Sequence, residues 1–264
     1  AELERTRPYF DALRSEIKRV FRTVEGVESR YFYPGDDHPL SGTYAYLVIT
    51  ADKGLAGMYN QNVLREAQKL LSAHADAKLF VVGEYGRQYF AHHQIPVERS
   101  FLYTAQNPTM QRAREISSTL LELYDSGQVQ KIFVIYTDMK NAMTEEAKST
   151  RLLPFHRQTF ASRPEEKAVR TPFTFAPSIE TVLDTMIPSY VSGFIYSALV
   201  DSFCSEQNAR MTAMRAANDN AEALLVSLSS DYQRLRQAEI TQEITEITAG
   251  AAAQRLSAQE VQTL

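Results

Sequence analysis

Residues 222–247 read EALLVSLSSDYQRLRQAEITQEITEI, and they belong to a long C-terminal stretch without helix breakers. All ten prolines of the chain lie at or before Pro188, and the stretch from Ser189 to Leu264 contains only two glycines. Because proline breaks helices most strongly, this stretch predicts one helix from Ser189 to about Ala253. A helix through the whole stretch would be about 114 Å long. A compact chain of this length has a radius of gyration on the order of 18 Å, so we expect a rod that reaches beyond its own domain.

An apolar seam runs along the predicted rod and is interrupted at Glu239. Its members recur at three- and four-residue steps, the spacing that faces a single partner helix. They are Leu224, Leu225, Leu228, Tyr232, Leu235, Ile244, Ile247 and Ala251. The segment Leu3 to Val20 repeats apolar residues at similar steps, which favours an intramolecular antiparallel pair of terminal helices. An intermolecular coiled-coil dimer is the alternative.

Composition is that of an ordinary folded chain, large enough for one sizeable domain in addition to the rod. Hydrophobic residues make up 44% and charged residues 23%. The single cysteine, Cys204, excludes a disulfide framework and fits a reducing compartment. Residues 201–264 hold five arginines against nine carboxylates, which accounts for the net charge of −4. Such a rod is a poor ligand for a phosphate backbone, so we expect no nucleic-acid binding. No run of eighteen apolar residues occurs, so no membrane span is expected.

Residues 40–160 alternate strand and helix patterns, which predicts a Rossmann-like α/β domain with a mostly parallel sheet. The expected strands are Tyr44 to Thr50, Lys78 to Gly83, a short one near Val97 to Leu102, and Lys131 to Thr137. A last strand, Ser149 to Phe155, is expected to pair antiparallel with Lys131 to Thr137. The expected helices are Asn60 to Ser72, Glu84 to Ala91, and one opened by Pro108 that runs to Tyr124. Residues 161–188, which are rich in proline, read as a linker back to the rod at 189–264.

Enzyme chemistry is not indicated by any motif. The turn at residues 51–59, ADKGLAGMY, has two glycines but not the G-x-G-x-x-G order of a dinucleotide site, and no Walker-type phosphate loop occurs. The adjacent His92 and His93 would point about 100° apart on a helix and are not placed to share a metal. We therefore predict no catalytic residue, no metal and no cofactor.

One motif on the rod resembles a known family. Residues 240–253, ITQEITEITAGAAA, are similar to the C-terminal signature of the γ subunits of F-type ATP synthases. The resemblance continues through residues 206–221, EQNARMTAMRAANDNA, residues 177–190, PSIETVLDTMIPSY, and the turn ADKGLAG. It covers nearly the whole chain.

The resemblance implies a rotor without catalytic activity of its own. In that family the two terminal helices form an antiparallel coiled coil inside a hexamer of α and β subunits. The α/β domain sits at its foot, beside the ε subunit and the membrane ring of c subunits. Rotation of such a shaft couples ion transport through the ring to ATP synthesis or hydrolysis on the β subunits. The implied location is the cytoplasmic face of a bacterial cell membrane, or else an organellar inner membrane, and no small-molecule substrate is implied.

Two sets of contact residues follow from the resemblance. The set that meets a loop of the β subunits comprises Arg236, Gln237, Thr241 and Glu243. The set in the foot region, beside the ε subunit and the c ring, comprises Lys53, Leu55 and Asn60. The family also opens with a longer basic helix, so we expect the coiled-coil helix at residues 1–25 to be incomplete.

Two other functions are compatible with the overall pattern. A scaffold protein would display a coiled coil on an α/β domain for self-association, but this leaves the signature at residues 240–253 unexplained. A dehydrogenase-like enzyme with a helical arm lacks both the glycine fingerprint and a catalytic pair.

Overall fold

The structure is a computed structural model that describes residues 30–33, 42–74, 76–102, 104–141, 144–155 and 178–262, together with residues 12 and 15. The chain divides into two compact units, residues 1–212 and residues 213–264. The predicted helix at residues 1–25, apart from two positions, and the first part of the predicted linker, residues 161–177, lie outside the described residues.

A five-stranded sheet forms the centre of the first unit. Its strands are β1 (Tyr44–Ile49), β2 (Ala77–Val82), β3 (Arg99–Phe101), β4 (Lys131–Asn141) and β5 (Thr144–Leu153), and their order is β3-β2-β1-β4-β5. The first four strands pair in parallel, with Tyr44 opposite both Ala77 and Lys131. Strand β5 pairs antiparallel with β4. The predicted α/β class with a mostly parallel sheet is confirmed.

Four described helices accompany the sheet. They are α1 (Tyr59–Ala73), α2 (Glu84–His92), α3 (Met110–Asp125) and α4 (Ile179–Gln262). The hydroxyl of Thr109 accepts a hydrogen bond from the amide of Arg112 at 3.3 Å and caps the first turn of α3. No described helix is apolar enough over a sufficient length to cross a membrane.

Both faces of the sheet are buried, which explains why its strands read as continuous apolar runs. Alternate residues of β1 point to opposite sides: Leu47 and Ile49 pack with α3 and α4, whereas Tyr46 and Val48 pack with α1. Each face has its own cluster of buried apolar side chains. The sheet is therefore the middle layer of three.

Helix α4 begins ten residues before the predicted start, so part of the predicted linker is helical. Pro188 lies inside the helix, although its ring removes one backbone hydrogen bond at a cost of ~3 kcal/mol. The apolar residues on one face continue across it at four-residue spacing, and all are fully buried: Leu183, Ile187, Val191 and Ile195. Burying each of them stabilises the fold by roughly 1.5–3 kcal/mol, which outweighs the proline.

The first half of α4 belongs to the α/β unit and not to a separate rod. Its residues up to Val200 join the cluster formed by α3 and one face of the sheet, and Cys204 packs against that cluster. The boundary between the two units falls after Thr212, beyond the predicted boundary at residue 189. Strand β5 also begins earlier than predicted, at Thr144, because its pairing with β4 continues to the hairpin end at Asn141.

Candidate functional site: the exposed half of α4 and the turn after β1

The second unit is helical as far as Gln262, and its large apolar side chains up to Ala253 are exposed. From Met214 to Ala253 every side chain of α4 is exposed. The exposed apolar residues include Leu224, Leu225, Leu228, Tyr232, Leu235, Ile240, Ile244 and Ile247, the last with 71% of its surface accessible. Contiguous exposed apolar surface on a folded protein marks a site of interaction.

These apolar residues form two strips on different sides of the helix. The lower strip ends at Leu235, and the upper strip begins at Ile240 after a step of five residues. At 3.6 residues per turn, this step moves the upper strip roughly a third of a turn around the helix relative to the lower one. Glu239 occupies the position where the lower strip would have continued. The two strips therefore present apolar surface in different directions.

The predicted contact residues border the upper strip. In an α-helix of this sequence, Arg236 and Glu243 lie along one side of Ile240, Ile244 and Ile247. The other side is bordered by Gln237 and Thr241. An apolar centre with a polar rim is the usual composition of a protein interface.

Most of the polar groups on this rim are available to a partner. The Thr241 hydroxyl donates to the carbonyl oxygen of Gln237 at 2.8 Å, within the helix. Among the described residues, no hydrogen bond or ion pair engages the side chains of Arg236 or Glu243. A guanidinium and a carboxylate on one edge can make charge-assisted hydrogen bonds, which are among the strongest polar contacts.

The second predicted set lies in the turn between β1 and α1. Lys53 and Leu55 are exposed, and Leu55 has 74% of its surface accessible with a φ of 62°. Asn60 is different, because it is buried and its Oδ1 accepts a hydrogen bond from the amide of Ala51 at 3.0 Å. Asn60 therefore holds the two ends of the turn together and offers no surface to a partner.

This turn stands at the point where the strand order reverses. Strands β1 and β4 are adjacent and parallel, and in open α/β sheets the crevice outside their carboxyl ends is where ligands bind. Here the crevice is filled by side chains of α4. Ser202 Oγ lies 3.4 Å from the amide of Thr137, just beyond the part of β4 that pairs with β1, and Ala209 packs against the cluster of Ala51, Ala56 and Tyr59.

Charged and polar side chains of α4 also occupy the crevice at the carboxyl ends of β1 and β4. Glu206 is buried, and Arg210 Nη2 lies 2.7 Å from its Oε1. Burial raises the pKa of the Glu206 carboxyl, and the Arg210 guanidinium opposes this effect. The Asn208 amide donates to Glu145 Oε1 of β5 at 2.7 Å. Burial likewise raises the pKa of the neighbouring Tyr59 hydroxyl.

Sequence reasoning missed the role of Arg210. Its Nη2 also faces the carbonyl oxygens of Lys53 and Gly54, at 3.4 and 3.2 Å. Arg210 lies within the stretch EQNARM at residues 206–211, which resembles the family motif. The stretch was the only signal, because contacts between residues more than 150 positions apart leave no local pattern.

Comparisons with known proteins agree with one another. A family model described as ATP synthase matches residues 1–254. The ATP synthase gamma chain of Caldanaerobacter subterraneus is 40% identical over 94% of this chain and 87% of its own length. That of Ruminiclostridium cellulolyticum is 38% identical over 96% of this chain and 87% of its own length. A sodium ion specific gamma chain from Acetobacterium woodii is 33% identical over 95% of this chain and 86% of its own length.

Solved structures share the fold at lower identity. A chain of the Euglena gracilis mitochondrial ATP synthase, from a structure of its OSCP, F1 and c-ring, superposes with a TM-score of 0.60 at 17% identity. The match covers 96% of this chain and 92% of the other. A central stalk and c-ring structure from Tetrahymena thermophila gives a TM-score of 0.53 and covers 83% of this chain. The sequence identities above, which extend over most of both chains, show that this chain belongs to the ATP synthase gamma chain family.

Proposed function

We propose that this chain is the central shaft of an ATP synthase and turns inside a hexamer of α and β subunits. Its rotation couples ion flow through the membrane ring of c subunits to ATP synthesis or hydrolysis on the β subunits, and the chain has no catalytic site of its own. The observation that carries the proposal is the exposed half of α4, whose apolar strips have to be covered by partners. The names of the relatives as gamma chains, and of one structural neighbour as a central stalk and c-ring, support it.

Torque would pass through the polar rim of the upper strip. As the shaft turns, Arg236, Gln237, Thr241 and Glu243 meet each β subunit in succession. A hydrogen bond to a charged group contributes about 1.5–3 kcal/mol. This is enough to shift an equilibrium between open and closed β subunits, provided that the contact is made in only one of the two states.

The lower strip calls for a different partner. We assign it to an antiparallel helix from the N-terminal segment, with Leu3 to Val20 against the part of α4 nearest the α/β unit. The rotation between the two strips supports two separate partners, because one straight helix cannot face both sides.

The turn after β1 supplies a second contact surface. Lys53 and Leu55 are exposed there. We assign them to contact with the ε subunit and the c ring, as the resemblance implies, at the cytoplasmic face of a bacterial membrane.

Co-expression with α and β subunits tests the proposal. We expect the chain to purify in a complex with both, and ATP hydrolysis to require all three. The isolated chain should neither hydrolyse ATP nor bind a dinucleotide tightly, since it lacks a phosphate loop and the crevice at the end of β1 is filled. If the chain self-associates in sedimentation experiments and does not bind α and β subunits, the result would favour the scaffold function instead.

A further inference from the structure

Arg210, on α4, connects this helix to the turn after β1. Its Nη2 lies 3.2 Å from the carbonyl oxygen of Gly54 and 3.4 Å from that of Lys53. The residues it connects are 156 and 157 positions away in sequence. One guanidinium therefore bridges the helix that transmits rotation and an exposed turn of the α/β unit.

The Arg210 guanidinium is held in one position by its neighbours. Glu206, one turn earlier on α4, has a side chain only 5% exposed and accepts from Arg210 at 2.7 Å. The neighbouring Ala209 packs against Ala51, Ala56 and Tyr59. Because these contacts fix both the backbone and the charge, little side-chain entropy remains to be lost when Arg210 donates to the turn.

The middle of the turn needs such support. Its two ends are tied by Asp52 Oδ1, which accepts from the Glu84 amide at 3.0 Å, and by Asn60 Oδ1, which accepts from the Ala51 amide. Leu55 lies between them with φ of 62°, a conformation that costs free energy for a residue with a side chain. In the described part of the chain, the hydrogen bonds that reach Lys53 and Gly54 come from Arg210.

We propose that Arg210 is a positioning residue that locks the turn onto α4, so that force between a partner subunit and the turn passes into the shaft. The inference rests on the proposed function, and it assigns the stretch Asp52 to Leu55 to the transmission of rotation. Without the contacts from Arg210, the turn would move when a partner subunit pushes on it. ATP would then be hydrolysed with less rotation of the shaft. Glu206 orients Arg210 through their ion pair.

The test compares three variants in the complete complex reconstituted in vesicles. Glu206→Gln is the reference variant, because its side-chain oxygen still accepts a hydrogen bond from Arg210. The double variant, Glu206→Gln with Arg210→Gln, removes the contacts to the two carbonyl oxygens of the turn. It does so without leaving a buried carboxylate unpaired. Arg215→Gln is the matched control, because Arg215 is an exposed arginine on the same helix. The measured quantity is the number of ions pumped per ATP hydrolysed by vesicle-bound complexes from which detached hexamers have been removed, so that a loss of assembly does not alter the ratio.

We expect this ratio to fall in the double variant relative to Glu206→Gln, and to be unchanged in Arg215→Gln. Loss of charged hydrogen bonds should also speed hydrogen exchange at the Tyr59 amide, which bonds to Ala56 in the turn, by about tenfold. Equal ratios in the single and double variants would overturn the proposal. Should the double variant fail to assemble, Glu206→Met with Arg210→Met keeps the bulk and gives the same comparison. A wild-type complex that does not assemble or pump would instead contradict the proposed function, on which the lock depends.

Discussion

The amide of Gly86 lies 3.0 Å from the side-chain oxygen of Thr50, and no Cβ fits between α2 and β1 at this point. The Thr50 hydroxyl donates in turn to the carbonyl oxygen of Val82, at 2.8 Å. A Cβ added at Gly86 would lie 2.6 Å from Thr50 Oγ1 and 2.9 Å from a methyl group of Val81. Helix α2 can approach the sheet this closely only because residue 86 has no side chain.

Gly86→Ala should therefore destabilise the α/β unit by about 1–3 kcal/mol, the usual cost of overpacking a core. The measurement is the free energy of unfolding in denaturant. Gly250→Ala is the matched control, since Gly250 is also helical but nothing lies within 4 Å of its added Cβ. There the same substitution should stabilise the helix by up to about 1 kcal/mol. Equal effects at both positions would contradict the close approach of α2.

Asn60→Ala should destabilise the α/β unit because it leaves the buried amide of Ala51 without its acceptor. The expected loss in the free energy of unfolding is about 1–3 kcal/mol. The adjacent Gln61→Ala serves as control, because Gln61 is exposed and its contact with the Tyr85 hydroxyl is long, at 3.4 Å. If Asn60→Ala left stability unchanged but weakened assembly, Asn60 would be a contact residue after all.

Glu84 should make stability depend on acid pH. Hydrogen bonds from Arg87, and then from Gln88, lower the pKa of the Glu84 carboxyl from 4.5 to about 2. A lowered pKa in the folded state means that the carboxylate stabilises the fold above about pH 4.5, and that this contribution is lost as the pH falls towards 2. The difference in denaturation midpoint between wild type and Glu84→Gln should thus be largest near neutrality and vanish near pH 2. Parallel pH profiles for the two proteins would rule this out.

Glu243→Ala with Gln237→Ala should slow both ATP synthesis and ATP hydrolysis by the assembled complex. If the hydrogen bond forms only in the transition state, losing a charged hydrogen bond of about 1.5 kcal/mol lowers the rate about tenfold. Nucleotide affinity at an isolated β subunit should not change. The control pair is Asp231→Ala with Gln242→Ala, which removes the same kinds of group about half a turn round the helix from the upper strip. Wild-type rates with the first pair would show that Glu243 and Gln237 are ordinary surface residues.

Much of the α/β unit could be predicted from local patterns. Tyr44 to Thr50 and Lys131 to Thr137 are apolar on both faces, which is the pattern of strands covered by helices on each side. The start of α4 could not be predicted in the same way. Pro188 is a local signal that predicts the end of a helix. Leu183 and Val191, in contrast, stabilise the helix only through contacts with distant parts of the chain.

The candidate site was predictable where it resembles a known motif. Residues 240–253 carry a specific signature, and their exposure on α4 is consistent with the expected contacts. Asn60 and Arg210 show the limit of this reasoning. The resemblance gave Asn60 a contact role although it is buried, and it gave Arg210 none although it bridges α4 and the turn. Side-chain partners far apart in sequence decide both cases.

Direct observation of rotation tests the central claim. A cysteine introduced at Gln111, an exposed residue of α3, would carry a bead, and the α and β hexamer would be fixed to a surface. If the chain is the shaft, adding ATP should turn the bead in one direction, and the rotation should stop when ATP is withdrawn. A bead that stays still while the same complexes hydrolyse ATP would contradict the account.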